Sequence, residues 1–174
     1  DGVDPLRVAW RERHYCQLAE RGFHCARWLP LYRDEVHEDR LRPAEEIAGR
    51  LLALNTLFMY VSAPEDAVPT DSLRAFVERS QLIQHFTPSE SEIWALPREQ
   101  AHAEHADNIG WRLENMWVLA WMLGFETEPP FYQGQLPEDV IGAIVMGFAN
   151  ELDGDVGTFL SRVGLRPVDE IAEL

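Results

Sequence analysis

Trp111-Arg112-Leu113-Glu114-Asn115-Met116-Trp117-Val118-Leu119-Ala120-Trp121-Met122-Leu123-Gly124-Phe125 is the stretch whose reading decides the fold. From Met116 onward it is apolar around the whole circumference of a helix, as expected of a helix covered on every side. Extended upstream through the polar run that begins at Glu99, it predicts one central helix over about residues 99–123. A weak point is expected at Asn108 to Gly110, and Gly124 supplies the stop. On the helical wheel Glu114 falls among Trp111, Trp117, Val118, Trp121 and Phe125, whereas Arg112 falls with Met116, Leu119 and Leu123. The two cannot pair with each other. Arg112, Glu114 and Asn115 are therefore read as a buried polar hub, with Trp111, Trp117 and Trp121 as its aromatics.

The remaining helices follow from caps and stripes. Asp4-Pro5 opens a helix that Gly22 closes, over about residues 5 to 21. Pro43 opens the next, in which Ile47, Leu51, Leu54, Phe58 and Val61 recur at helical spacing. Thr70 starts a helix carrying Leu73, Phe76, Val77 and Ile83 that ends near His85. Thr87-Pro-Ser-Glu90 has the spacing of a capping box, and Pro97 ends the short helix behind it. Pro137 opens a helix with Val140, Ile141, Ile144, Val145 and Phe148, and short helices follow Asp155 and Pro167. No segment alternates with period two between turn signals, so the class is all-α. A chain of 174 residues fits a single domain, residues 1–174.

Charge narrows the function classes. The net charge of −15 repels phosphate backbones and anionic headgroups, which argues against nucleic-acid and membrane partners. The longest apolar run, Met116 to Phe125, is about half of the roughly twenty residues that a membrane span needs. The first residues show no basic region followed by an apolar core, so no signal peptide is expected. Two cysteines, Cys16 and Cys25, read as reduced thiols of a cytoplasmic protein.

Several constellations bear on chemistry. Glu99-x-x-His102, with His105 a turn later, has the spacing of half a helical di-iron site. No second Glu-x-x-His exists, so these three residues read as a solvated face and no metal or other cofactor is expected. His14, Cys16, His24 and Cys25 match no regular zinc spacing. A nucleophile elbow, a Gly-x-Gly-x-x-Gly turn and a Gly-Lys-Ser/Thr loop are all missing. Glu114 carries the sharper question. A carboxylate among indoles needs a partner from another element, an indole N–H, backbone amides or an arginine such as Arg50, and would then clamp helices together. The other reading makes it a pocket carboxylate with a raised pKa.

Trp111-Arg-x-Glu114 followed by Trp117-x-Leu119-x-Trp121-x-Leu123-Gly124 resembles a widespread, mostly bacterial family catalogued as domain of unknown function 4272. Gly22-Phe23 with Leu29-Pro30, Leu41-Arg-Pro with Glu46-Ile47-Ala48 and Arg50, and Thr87-Pro-Ser-Glu90 agree with it, so the resemblance covers roughly residues 15–135. Where the family has alanine and leucine after its glutamate, this chain has Asn115 and Met116. The resemblance implies the helical fold and brings no catalytic residues.

These observations favour an acidic helical binding or protein-interaction module, with a protein or small molecule as partner, over an enzyme. The enzyme alternative is a small helical hydrolase or metal-dependent protein using Glu114 or the Glu99, His102 and His105 group. A further alternative is an acidic inhibitor of a basic protein.

Overall fold

In the computed structural model the described residues are 5–25, 27, 42–110, 112–124, 154–167 and 170–171, and the regular structure among them is entirely helical. The all-α class stands. The helix expected after Pro137 lies outside the described residues. The chain divides into two compact units, one of Asp1–Leu41, Pro130–Gln135 and Pro167–Leu174, the other of Arg42–Pro129 and Leu136–Arg166.

In the first unit α1 spans Pro5–Glu20. It ends as its sequence predicts. Gly22 adopts φ 86°, the Phe23 N–H reaches Leu18 O at 2.9 Å and the Gly22 N–H reaches Ala19 O at 3.0 Å, which is a Schellman close. Tyr15 lies beneath the guanidinium groups of Arg11 and Arg27, at 5.9 and 5.3 Å from its ring centre. Cys16 and Cys25 are both free thiols.

The second unit holds α2 (Ala44–Ser62), α3 (Thr70–Arg79), a 3-10 turn (Leu82–His85), α4 (Pro88–Ala95), α5 (Arg98–Gly110), α6 (Leu113–Met122) and α7 (Val156–Leu160). Here two expectations change. The predicted helix over 99–123 is two helices, α5 ending at Gly110, a residue that weakens any helix interior, and α6 beginning at Leu113. The central helix is instead α2, against which all the other described α-helices of this unit and the 3-10 turn pack. The reason is composition. Nearly every residue of α2 from Ile47 to Val61 is buried, with Leu51, Leu52, Leu54 and Leu57 all at 2% exposure or less, whereas α5 buries only Ala101 and Ile109. Each such leucine contributes about 1.5–3 kcal/mol, so the core gathers on α2.

The C-terminal end of α2 is closed by α5. Arg98 donates to the backbone oxygens of Met59 (3.1 Å), Tyr60 (2.9 Å), Ala63 (2.7 Å) and Val68 (2.6 Å), and to the Glu65 carboxylate at 2.7 Å. His102 Nδ1 lies 2.7 Å from Val61 O. A carbonyl only accepts, so Nδ1 carries the proton. The end of α6 is closed from far along the sequence: Gly124 adopts φ 90°, Gly164 N–H reaches Leu123 O, and the Arg166 backbone N–H and side-chain Nε reach Met122 O and Trp121 O at 2.9 and 2.7 Å. Gly124 is required there, since a Cβ would sit 3.0 Å from Gly164 O as well as at a left-handed φ.

Candidate functional site

Among the described residues the buried acid is Glu90, at 1% exposure, and not Glu114. Thr87 caps α4 by accepting from the Glu90 N–H at 3.3 Å, and the Glu90 carboxylate returns to the Thr87 N–H at 2.9 Å, completing the capping box that the sequence predicts. The same carboxylate receives a two-pronged contact from Arg50 of α2, at 2.5 and 2.8 Å, and lies 3.9 Å from Arg112 Nε. Arg50 also donates to His85 O at 2.7 Å. Burial, the largest single influence, pushes the Glu90 carboxyl up, but the hydrogen bonds from Arg50 and Thr87 outweigh it and hold the group below its ordinary range.

Glu114 and Asn115 are exposed, which corrects the buried-hub expectation for both; Arg112 is half-buried and is the one member that approaches the Glu90 clamp. The physical reason is phase. The buried stripe of α6 runs through Leu113, Met116, Trp117, Ala120 and Trp121, while Glu114, in the first turn, shares the flank of exposed Val118. Trp117 and Trp121 are core residues, and Trp111 lies outside the described residues. Glu99 is exposed, His102 is occupied on Val61 O, and His105 is half-buried; among the described residues no group of three or more metal-ligating side chains converges.

Beside the Arg50–Glu90 clamp opens a cleft of about 730 Å³. Its walls come from the start of α2 (Arg42, Glu45, Glu46, Arg50), the 80–87 segment (Ser80, Gln81, Gln84, His85, Thr87) and Val156 of α7. Three local features are unusual. Gln81 is the one non-glycine residue with positive φ among those described, at φ 52°, ψ 36°, so the helix expected to run to near His85 breaks after Arg79. Ser80, at 8% exposure, has a buried hydroxyl without a hydrogen-bond partner. The His85 ring lies against Gly49 so closely that a Cβ there would come within 2.3 Å of Nε2. Burial, opposed by Glu46 and aided by Arg50, holds the His85 imidazole below its ordinary pKa, which makes it neutral at physiological pH.

A second, smaller cleft of about 450 Å³ is lined by Glu90 itself, with Ser89, Glu92, Glu104, His105, Asn108 and Arg112 among its other walls. Sequence reasoning found Thr87-x-x-Glu90 as a cap and Arg50 as a clamping arginine. It missed Glu90 as the partner and the whole wall from Ser80 to His85. The one signal available for that wall was Gly49, a glycine in the middle of an otherwise strong helix.

The family described as a domain of unknown function (DUF4272) matches residues 11–174, a longer span than the resemblance read from the motifs. Neither the curated proteins nor the solved structures include a match to the chain.

Proposed function

The chain belongs to the DUF4272 family, a membership that carries no reaction with it, and from that premise we propose that it is a binding module whose ligand sits in the cleft beside His85. The observation that carries this is the gathering of unfavourable features in and directly behind the lining of one cleft. A left-handed glutamine, an unpaired buried hydroxyl and a mid-helix glycine that admits a histidine ring all fall between Gly49 and His85. Backbone strain costs on the order of 1–3 kcal/mol per residue, and such features collect where a fold serves a ligand rather than its own stability. The cleft has the size of a small-molecule site. Its lining is mostly hydrogen-bonding, which suits a polar ligand or a polar side chain of a protein partner, and the acidic surface disfavours nucleic acid.

Binding is favoured over hydrolysis by one detail. Ser80 and His85 share the cleft, but the Ser80 hydroxyl makes no hydrogen bond, so the nucleophile-to-base contact of a hydrolase is not made. Gln81→Gly and Ser80→Ala test the proposal. If the wall is kept for a ligand, each variant melts about 2 °C above wild type, equivalent to about 1 kcal/mol or less. Both should also lose the stabilisation that a bound ligand gives wild type in a thermal-shift panel of amines, sugars and carboxylates. Lower melting temperatures for both variants would mean that the wall is structural and that the cleft is no binding site.

A further inference from the structure

Resting on that cleft as the binding site, we infer that its ligand presents a positively charged nitrogen, an ammonium or a guanidinium group. The charges and lone pairs of the cleft divide into those already engaged and those left open. Arg42 is bonded to Glu46 at 2.9 Å, and Arg50 is turned onto Glu90 and His85 O. Each cationic side chain of the lining is thus matched by a carboxylate, Arg42 by Glu46 and Arg50 by Glu90. Glu45, exposed in the first turn of α2, has no cationic partner among the described residues.

The neutral groups point the same way. The His85 imidazole, seated against Gly49, makes no side-chain hydrogen bond among the described residues and, being neutral, offers a lone pair. Ser80 lines the cleft at 8% exposure with an unpartnered hydroxyl that can accept. Gln81 and Gln84 add carboxamide oxygens. A chain of net charge −15 concentrates cations near its surface and repels anions before any contact is made. A divalent metal is a poorer fit than an organic cation, because among the described residues no group of three or more metal-ligating side chains converges.

Agmatine, which carries both an ammonium and a guanidinium, is the probe, with inorganic phosphate and the neutral polyol erythritol beside it. Each is titrated into the full chain while the backbone amides of Ser80 and Gln81 and the His85 ring protons are followed by NMR. Agmatine should shift these signals saturably and the other two should not. Glu45→Gln should weaken agmatine by about fivefold, the upper end for an exposed ion pair. Glu114→Gln removes a likewise exposed charge that does not line the cleft and should leave the affinity unchanged. Equal weakening by both variants would reduce the effect to diffuse charge and overturn the inference. Shifts with phosphate or erythritol in place of agmatine would overturn the cationic class while leaving the cleft as a binding site. Silence from all three probes would also overturn it, and the melts of the Ser80 and Gln81 variants then decide separately whether the cleft binds anything.

Discussion

Both ends of α2 are held by an arginine, and they are finished differently. At the C-terminal end Arg98 spends its guanidinium on four backbone oxygens and the Glu65 carboxylate, and His102 takes a further carbonyl. Among the described residues, no buried side-chain polar atom of Arg98, Glu65 or His102 is left without a partner. Nearer the N-terminal end Arg50 is just as fully used, on Glu90 and His85 O, yet the wall beside it keeps a left-handed glutamine and an unpaired hydroxyl. One arginine completes a structure; the other fixes a frame in which unsatisfied groups are held in place. An unsatisfied group alone does not mark a site, since Asn55 Nδ2, buried within α2 and outside the cleft lining, also lacks a partner; what sets the cleft wall apart is that the unpaired hydroxyl coincides with backbone strain and open space.

The largest test of that contrast is Arg98→Ala. It strands several carbonyls of the α2 terminus and should destabilise by about 4 kcal/mol in urea unfolding, because each buried unsatisfied group costs roughly 1–3 kcal/mol. A loss below about 1 kcal/mol would show that the closed end is not a clamp. Glu90→Ala comes next, at about 3 kcal/mol, since it leaves the Arg50 charge part-buried and unpaired. Glu114→Ala should fall within about 0.5 kcal/mol of wild type, as for most exposed positions. If Glu114→Ala were the more damaging of the two, the assignment of the clamp to Glu90 would fail.

Smaller effects sharpen the comparison at the open end. Gly49→Ala gains roughly 1 kcal/mol of helix propensity but pushes the His85 ring, the free end of a flexible side chain, off the helix, so its net stability should change little. The His85 pKa, followed by NMR, should rise toward the ordinary histidine value in that variant, and an unchanged value would mean that contact with Gly49 does not set it.

The pH dependence is the smallest effect. A histidine whose folded pKa is depressed contributes stability that is complete above its unfolded value, about 6.5, and is lost as pH falls through the folded pKa. Glu90, also depressed, adds a second loss at more acidic pH, below the ordinary carboxylate value of about 4.3. Stability measured from pH 7 downward should therefore decline in two stages. The first should disappear in His85→Ala, and the second should shrink without vanishing in Glu90→Gln, because hydrogen bonds from Thr70 and Thr158 also hold the Glu65 and Asp155 carboxyls below their ordinary range.

What the sequence made legible was local. The Thr87 capping box, the Gly22 close and the Asp155 cap, whose carboxylate accepts from the Thr158 N–H at 2.8 Å, all depend on residues within a few positions of one another. The stripe of α2 was equally readable, but its rank as the central helix was not. A wheel shows which residues share a face and says nothing about what lies opposite. That is why Glu114, ringed by indoles on paper, proved exposed, while Glu90, inconspicuous in a polar run, meets Arg50 forty positions away and is buried. The cleft was illegible for a related reason. Gln81 turns left-handed without a glycine or asparagine to announce it, so tertiary packing imposes the turn.

The close of α6 bears on how this chain is made. Trp121 O is capped by a side chain 45 residues further along, and Met122 and Leu123 also receive their partners from residues 164–166. At roughly 5–20 residues per second of synthesis, α6 therefore leaves the ribosome about 2–9 s before its end can be closed. During that interval a helix carrying Trp117 and Trp121 has no cover from the segment that completes it. Apolar surface left open for those seconds is a site for aggregation or for a chaperone.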